Sequence, residues 1–208
     1  MSDLTNIARD MTTYSDMLIA SGLLHLRGGN YSVRLGDDFI ITRTKSFKDD
    51  LVADRLVRVP IDTDELVEKA SSVTSMHRAV YRRTDARAII HAHPYHPALL
   101  SFFVDAFSPV DENGLIYLGK TVKVVEVVEF MNWAVADEAM AEALVDSSAA
   151  ILKWHGTFAK GETLAEAFHN TQAVETAARF YLDVWRLSHR PWAARLADYV
   201  QAPDWALG

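Results

Sequence analysis

The stretch Ile89-Ile90-His91-Ala92-His93-Pro94 ends an apolar run in two histidines one residue apart. Side chains alternate faces along a strand, so His91 and His93 are expected to project the same way, about 6–7 Å apart along it. Two imidazoles so placed can converge on one ion, since each metal–nitrogen bond is about 2.0–2.1 Å for zinc. A site of this kind usually takes a third protein ligand. His155, in Ala150-Ile151-Leu152-Lys153-Trp154-His155-Gly156, also closes an apolar run and is the best candidate. Histidine is commonly a packed or surface residue, and a His-X-His pair alone is a weak signal. The third histidine in a matching context is what gives it force. His25, His96, His169 and His189 read as loop or helix-surface residues, and His77 as packing on a helix face.

A second set of residues suits an anion. Gly28-Gly29 permits a tight turn before Asn30, and Arg43-Thr44-Lys45-Ser46-Phe47-Lys48 is polar and basic. The segment from Lys69 to Tyr81 opens a helix through Ser71-Ser72, whose hydroxyls and free backbone N–H groups favour bound anions such as phosphate. Taken in isolation, simple capping is the preferred reading of these serines. The convergence of backbone donors, an amide, hydroxyls and cations on neighbouring turns tips the reading toward a site.

These groups must be carried by a chain of 208 residues, half of them apolar, which fits one domain with a substantial core. Cysteine is absent, so nitrogen and oxygen must hold any metal. A net charge of −7 argues against non-specific nucleic-acid binding. The N-terminus lacks the pattern of a signal peptide and no run reaches the length of a membrane span, so a cytoplasmic protein without nucleic-acid or membrane partners is expected.

Periodicity predicts a helix over 4–24, a hairpin of strands at 31–35 and 39–42, and a strand with its flanking loop over 51–60. After the His91/His93 strand, 97–107 reads as helical. Asn113-Gly114 reads as a turn, 115–118 and 122–128 as strands, 134–144 as a helix and 149–152 as a strand. The longest periodic segment is 163–187, with Thr163 and Glu166 spaced as in a capping box. The tail from about Arg190 carries Pro191, Trp192, Tyr199 and Trp205, aromatics suited to docking. The fold class expected is α/β, a single domain spanning 1–208 with a central, mostly antiparallel sheet flanked by helices.

With Gly29-Asn30-Tyr31-Ser32, Ser71-Ser72, His91-Ala92-His93-Pro94 and His155-Gly156 in this order, the chain resembles the class II aldolase/adducin family over about residues 5–187. The likeness is greatest to its fuculose-phosphate aldolase branch and implies a three-layer αβα fold. It also implies a homotetramer of carbohydrate metabolism, with Zn2+ or another divalent transition metal held by His91, His93 and His155 near a subunit interface. The phosphate of a sugar phosphate would meet Gly29, Asn30, Thr44, Ser71 and Ser72.

Three positions depart from the family's pattern. Val73 stands where a glutamate serves as acid/base, a role worth typically 10²–10⁴-fold in rate. Val127 falls near the place of a tyrosine proton donor. Lys45 replaces a common glycine, either adding a phosphate contact or filling the pocket. The implied function is a metal-dependent lyase with its catalytic acid unassigned. Another metal enzyme on the same scaffold (epimerase, dehydratase or decarboxylase) and a non-catalytic adducin-like binding protein are the alternatives.

Overall fold

The computed structural model describes residues 2–129 and 132–188. Helix α1 (Ser2–Ala20) precedes a hairpin of β1 (Asn30–Leu35) and β2 (Asp38–Thr42), and β3 (Leu56–Pro60) pairs with β2. Next come α2 (Thr74–Arg83), β4 (Ala88–Ala92), α3 (Tyr95–Leu100), β5 (Ala106–Phe107), α4 (Glu112–Tyr117) and β6 (Val122–Val125). A 3₁₀ turn, Trp133–Ala136, runs into α5 (Asp137–Ala143), followed by β7 (Ala149–Leu152), β8 (Gly156–Gly161) and α6 (Leu164–Ser188). The strands form one eight-stranded sheet in the order β3-β2-β1-β4-β8-β7-β6-β5. Every neighbouring pair is antiparallel except β6–β7, so the expected α/β class with a mostly antiparallel sheet between helices is the one observed.

Strand β4 lies inside the sheet and is buried along its whole length, which is why it reads as a continuous apolar run. Ile89 packs with Met76 and Val80 of α2 and Met140 of α5 on one face. Ala88, Ile90 and Ala92 pack with Met11 and Leu18 of α1 and Phe168 of α6 on the other. The second half of α6 covers the β6–β8 end through Val174 and Ala178 against Ile151 and Ala159. Burying a side chain such as Ile89 or Ile90 stabilises the fold by about 1.5–3 kcal/mol. It also fixes the face on which His91 emerges, that of α2 and α5.

Several local expectations are corrected. The helix after β4 stops at Leu100, because 106–107 is drawn out to pair with β6 as an edge strand. Residues 112–117 form α4 rather than a turn and a strand. The Asp111 carboxylate accepts the Gly114 N–H at 2.9 Å, and Gly114 packs against Pro109 and Ala177, where a larger residue would not fit. Helix α2 begins only at Thr74; its cap residue Val73 offers no side-chain bond, while Thr74 Oγ1 donates to the Ser71 carbonyl at 2.6 Å. Strand β8 has no alternation that marks it in the sequence. At α6, Thr163 Oγ1 accepts the Glu166 N–H as expected, but the Glu166 carboxylate closes on the Glu162 N–H. The aromatic tail from Arg190 lies outside the described residues. Among the described residues no helix is long and apolar enough to cross a membrane.

Candidate metal centre and the loops beside it

Three strand ends build the cluster. His91 is the fourth residue of β4 and His93 follows the strand, its N–H donating to the Leu23 carbonyl at 3.1 Å. His155 sits in the three-residue turn Lys153-Trp154-His155 that joins β7 to β8, with Leu152 paired to Gly156. Trp154 takes the left-handed conformation, φ 62°, and its N–H donates to Ser101 Oγ at 2.8 Å. A non-glycine residue held this way costs roughly 1–2 kcal/mol, a strain stored where His155 must be aimed.

Gly156 lets β8 close on β4. A Cβ there would lie 2.2 Å from the Ala92 carbonyl oxygen and 2.9 Å from the His93 ring. Gly29 does the same from the other side: at φ +62° its missing Cβ would fall 2.3 Å from the His91 carbonyl oxygen.

The three imidazoles converge. His91 Nε2 lies 3.3 Å from His93 Nε2 and 3.2 Å from His155 Nε2. His91 Nδ1–H donates to the Thr157 carbonyl at 2.9 Å, so its Nε2 presents a lone pair. Two ligands about 2.05 Å from a tetrahedral ion stand about 3.3 Å apart. The residues therefore fit a divalent cation, and the backbone carbonyl that orients His91 is the kind of outer support such ligands require.

Phe158, paired with His91 in the β4–β8 register, stacks on its ring at 4.3 Å, and Trp133 lies against His155 at 4.6 Å. Burial, reinforced by its two neighbours, holds His91 well below the ordinary imidazole value. Burial and then the neighbouring His155 bring His93 down to about 4, and burial lowers His155. All three are neutral at pH 7, the form a metal needs.

The anion-suited residues fall into two groups. Asn30 is opposite His91 in the β1–β4 register, so the two side chains stand together on one face, and Gly29 abuts the His91 backbone. Thr44 and Lys45 are brought to Ser71 and Ser72 by the Arg43–Ala70 bridge and by the Thr44 N–H on the Lys69 carbonyl at 3.0 Å. Lys45 has φ 59°, a conformation that favours glycine, and its side chain is exposed rather than filling a pocket. The groups are linked through α2, since His77 bonds Asn30 Oδ1 at 2.5 Å.

Lys48, one cation of the basic 43–48 segment, is set apart by its burial. Its side chain is 2% exposed, its Nζ donates to the Ser46 carbonyl at 2.9 Å, and among the described residues it has no carboxylate partner. Its N–H donates to the Leu26 carbonyl, in the loop whose Gly28 borders the His93 ring. Burial draws its pKa down to about 8, and its charge is felt at His93. No sequence signal separates Lys48 from the other cations of its loop.

Val73 and Val127 are 3% and 4% exposed and belong to the core beneath α2 and α5. Three carboxylates are candidates to substitute for them. Glu126 is engaged by Lys153 at 3.1 Å and Glu129 by Asn132 at 2.8 Å. Glu162 follows the far end of β8, five residues and about 16 Å of strand beyond Gly156, too distant to serve its own chain's cluster.

The family described as Class II Aldolase and Adducin N-terminal domain matches residues 9–182. L-fuculose phosphate aldolase of Methanocaldococcus jannaschii is 31% identical over 156 residues, covering 74% of this chain and 84% of the relative. Methylthioribulose-1-phosphate dehydratase of Schizosaccharomyces japonicus is 24% identical over 212 residues, covering 90% and 91%. Among solved structures, the L-fuculose-1-phosphate aldolase of Thermus thermophilus superposes with a TM-score of 0.78 at 35% identity, covering 88% of this chain and 95% of that one. In fold, in sequence and in the order of its histidine and glycine motifs, this chain belongs to the class II aldolase and adducin family.

Proposed function

We propose that the chain is a zinc-dependent lyase acting on a phosphorylated ketose, its ion held by His91, His93 and His155. The observation that carries this is the convergence of three Nε2 atoms, with His91 oriented by the Thr157 carbonyl. A divalent cation there supplies Lewis-acid polarisation of a substrate carbonyl.

The chain's own residues do the rest. Asn30, Gly29, Thr44, Lys45, Ser71 and Ser72 bind the phosphate, and Lys48 supplies a positive charge that water does not screen. An ammonium buried without a carboxylate is costly unless an anion answers it. Trp133 and Phe158 flank His155 and His91 and limit water around the reacting end. Val73 and Val127 carry no proton, so the proton of the bond-making step comes from a group other than the two the family pattern suggests. The site lies near a subunit interface of a homotetramer.

Loss of water from a ketose 1-phosphate is the second reading. The dehydratase relative, matched over 90% of this chain, favours it.

The test is incubation of zinc-loaded protein with dihydroxyacetone phosphate and a panel of aldehydes. Condensation that disappears in His155→Ala is the expected result. No condensation, with water loss from a ketose 1-phosphate instead, selects the dehydratase, and neither reaction contradicts both. Val73→Glu then asks whether a carboxylate restores proton transfer. A large gain in aldol rate is expected if the natural chain has given that role up.

A further inference from the structure

A chain of buried polar side chains ends at Asn30. The Tyr81 hydroxyl lies 2.8 Å from Ser32 Oγ, Ser32 Oγ lies 2.7 Å from His77 Nδ1, and His77 Nε2 lies 2.5 Å from Asn30 Oδ1. Tyr81, Ser32 and His77 are at most 1% exposed and Asn30 is 6% exposed.

The direction of donation follows from the closed end. Ser32 Oγ is the one partner of the Tyr81 hydroxyl among the described residues. A phenol proton left unbonded in the core would lose its bond to water with nothing in exchange. Tyr81 therefore donates to Ser32, whose single proton goes to His77 Nδ1. The imidazole then donates from Nε2 to the Asn30 oxygen. Burial pushes His77 down to about 3, so at neutral pH it has one N–H to give.

The Asn30 oxygen is thus used up inside the protein. Its Nδ2 donates to no described residue, and the side chain stands beside His91.

We infer that His77 is a positioning residue that fixes the Asn30 amide with both N–H groups toward the substrate. Asn30 is then an obligate donor, suited to a substrate acceptor such as a phosphate oxygen. The inference rests on the sugar-phosphate reading above and adds the polarity and its cause.

The experiment is calorimetric titration of inorganic phosphate into the zinc-loaded protein. His77→Gln keeps a donor near the Nε2 position, whereas His77→Asn reaches Ser32 but not Asn30. His77→Gln is expected within about threefold of the natural affinity and His77→Asn about tenfold weaker, with zinc content unchanged in both. The double variant His77→Asn/Asn30→Ala is expected to bind no more weakly than Asn30→Ala alone.

If the histidine variants do not fold, Ser32→Ala carries the test. It lets the His77 proton move to Nδ1 and the amide turn over, and several-fold weaker binding is expected. Natural affinity in His77→Asn or Ser32→Ala, or losses that add to that of Asn30→Ala, overturn the positioning role and leave the sugar-phosphate reading standing. Natural phosphate affinity in Asn30→Ala, with zinc retained, overturns the Asn30 contact and this inference together.

Discussion

Two kinds of buried histidine lie on the same side of the sheet, joined through Asn30, and they are wired differently. His77 spends both ring nitrogens inside the protein, on Ser32 and Asn30, and is closed to any ligand. His91 spends only Nδ1, on the Thr157 carbonyl, and points Nε2 at the Nε2 atoms of His93 and His155. Burial and lowered basicity are common to both. What marks the candidate metal centre is convergent, unspent acceptor capacity. What marks a scaffold histidine is a completed set of bonds.

The contrast breaks most visibly at the ligands. His155→Ala should lower metal affinity by more than about 100-fold, beyond what loss of an outer support causes. Elemental analysis after dialysis checks it, and His77→Gln should retain its metal. Next in size is Gly156→Ala. Its Cβ has nowhere to go between the Ala92 carbonyl and the His93 ring, so β8 must move off β4. A stability loss of about 3 kcal/mol or more is expected in denaturant titration, together with weakened metal binding.

The pH dependence follows from neutral histidines in the fold. His77 has an ordinary value when unfolded and about 3 when folded, so its contribution is complete above pH 6.5. It is lost as pH falls toward 3, by about 1.4 kcal/mol per unit. In metal-free protein, His77→Phe should flatten the decline of stability between pH 6.5 and 4 by about one proton; an unchanged slope would mean that His77 charges in the fold.

Smallest in stability is Lys48→Met. Removing a buried charge that no described carboxylate answers should leave stability equal or raised, while inorganic phosphate binds about tenfold more weakly. Lower stability with natural phosphate affinity would make Lys48 a prop for its loop instead.

Much of this is legible in the chain. The apolar run into His91-Ala92-His93 announces a buried strand with two side chains on one face, because strand periodicity ties face to spacing. His155 is legible from its apolar approach, although Trp154 in a left-handed turn is what aims it. Asn30 and the glycines mark a tight turn, but the reason for Gly156 is a close approach to Ala92, on a strand far away in sequence. Such a contact has no local signature. Strand β8, which begins and ends in glycine, carries no clear alternation, and the Thr157 carbonyl stays hidden with it. His77 reads as packing, which it is, but its bonds to Ser32 and Asn30 arise only when α2 is laid over β1. The helix at 112–117 is hidden by Asn113-Gly114, a turn signal overruled by the Asp111 cap and by packing on α6.

The central claim is that three imidazoles share one ion. X-ray absorption at the zinc edge of the purified, metal-loaded protein tests it most directly. One zinc per chain with three nitrogen neighbours of imidazole type at about 2.0–2.1 Å is the expected result. Sub-stoichiometric zinc, or a shell of oxygen alone that His91→Ala does not alter, would contradict it.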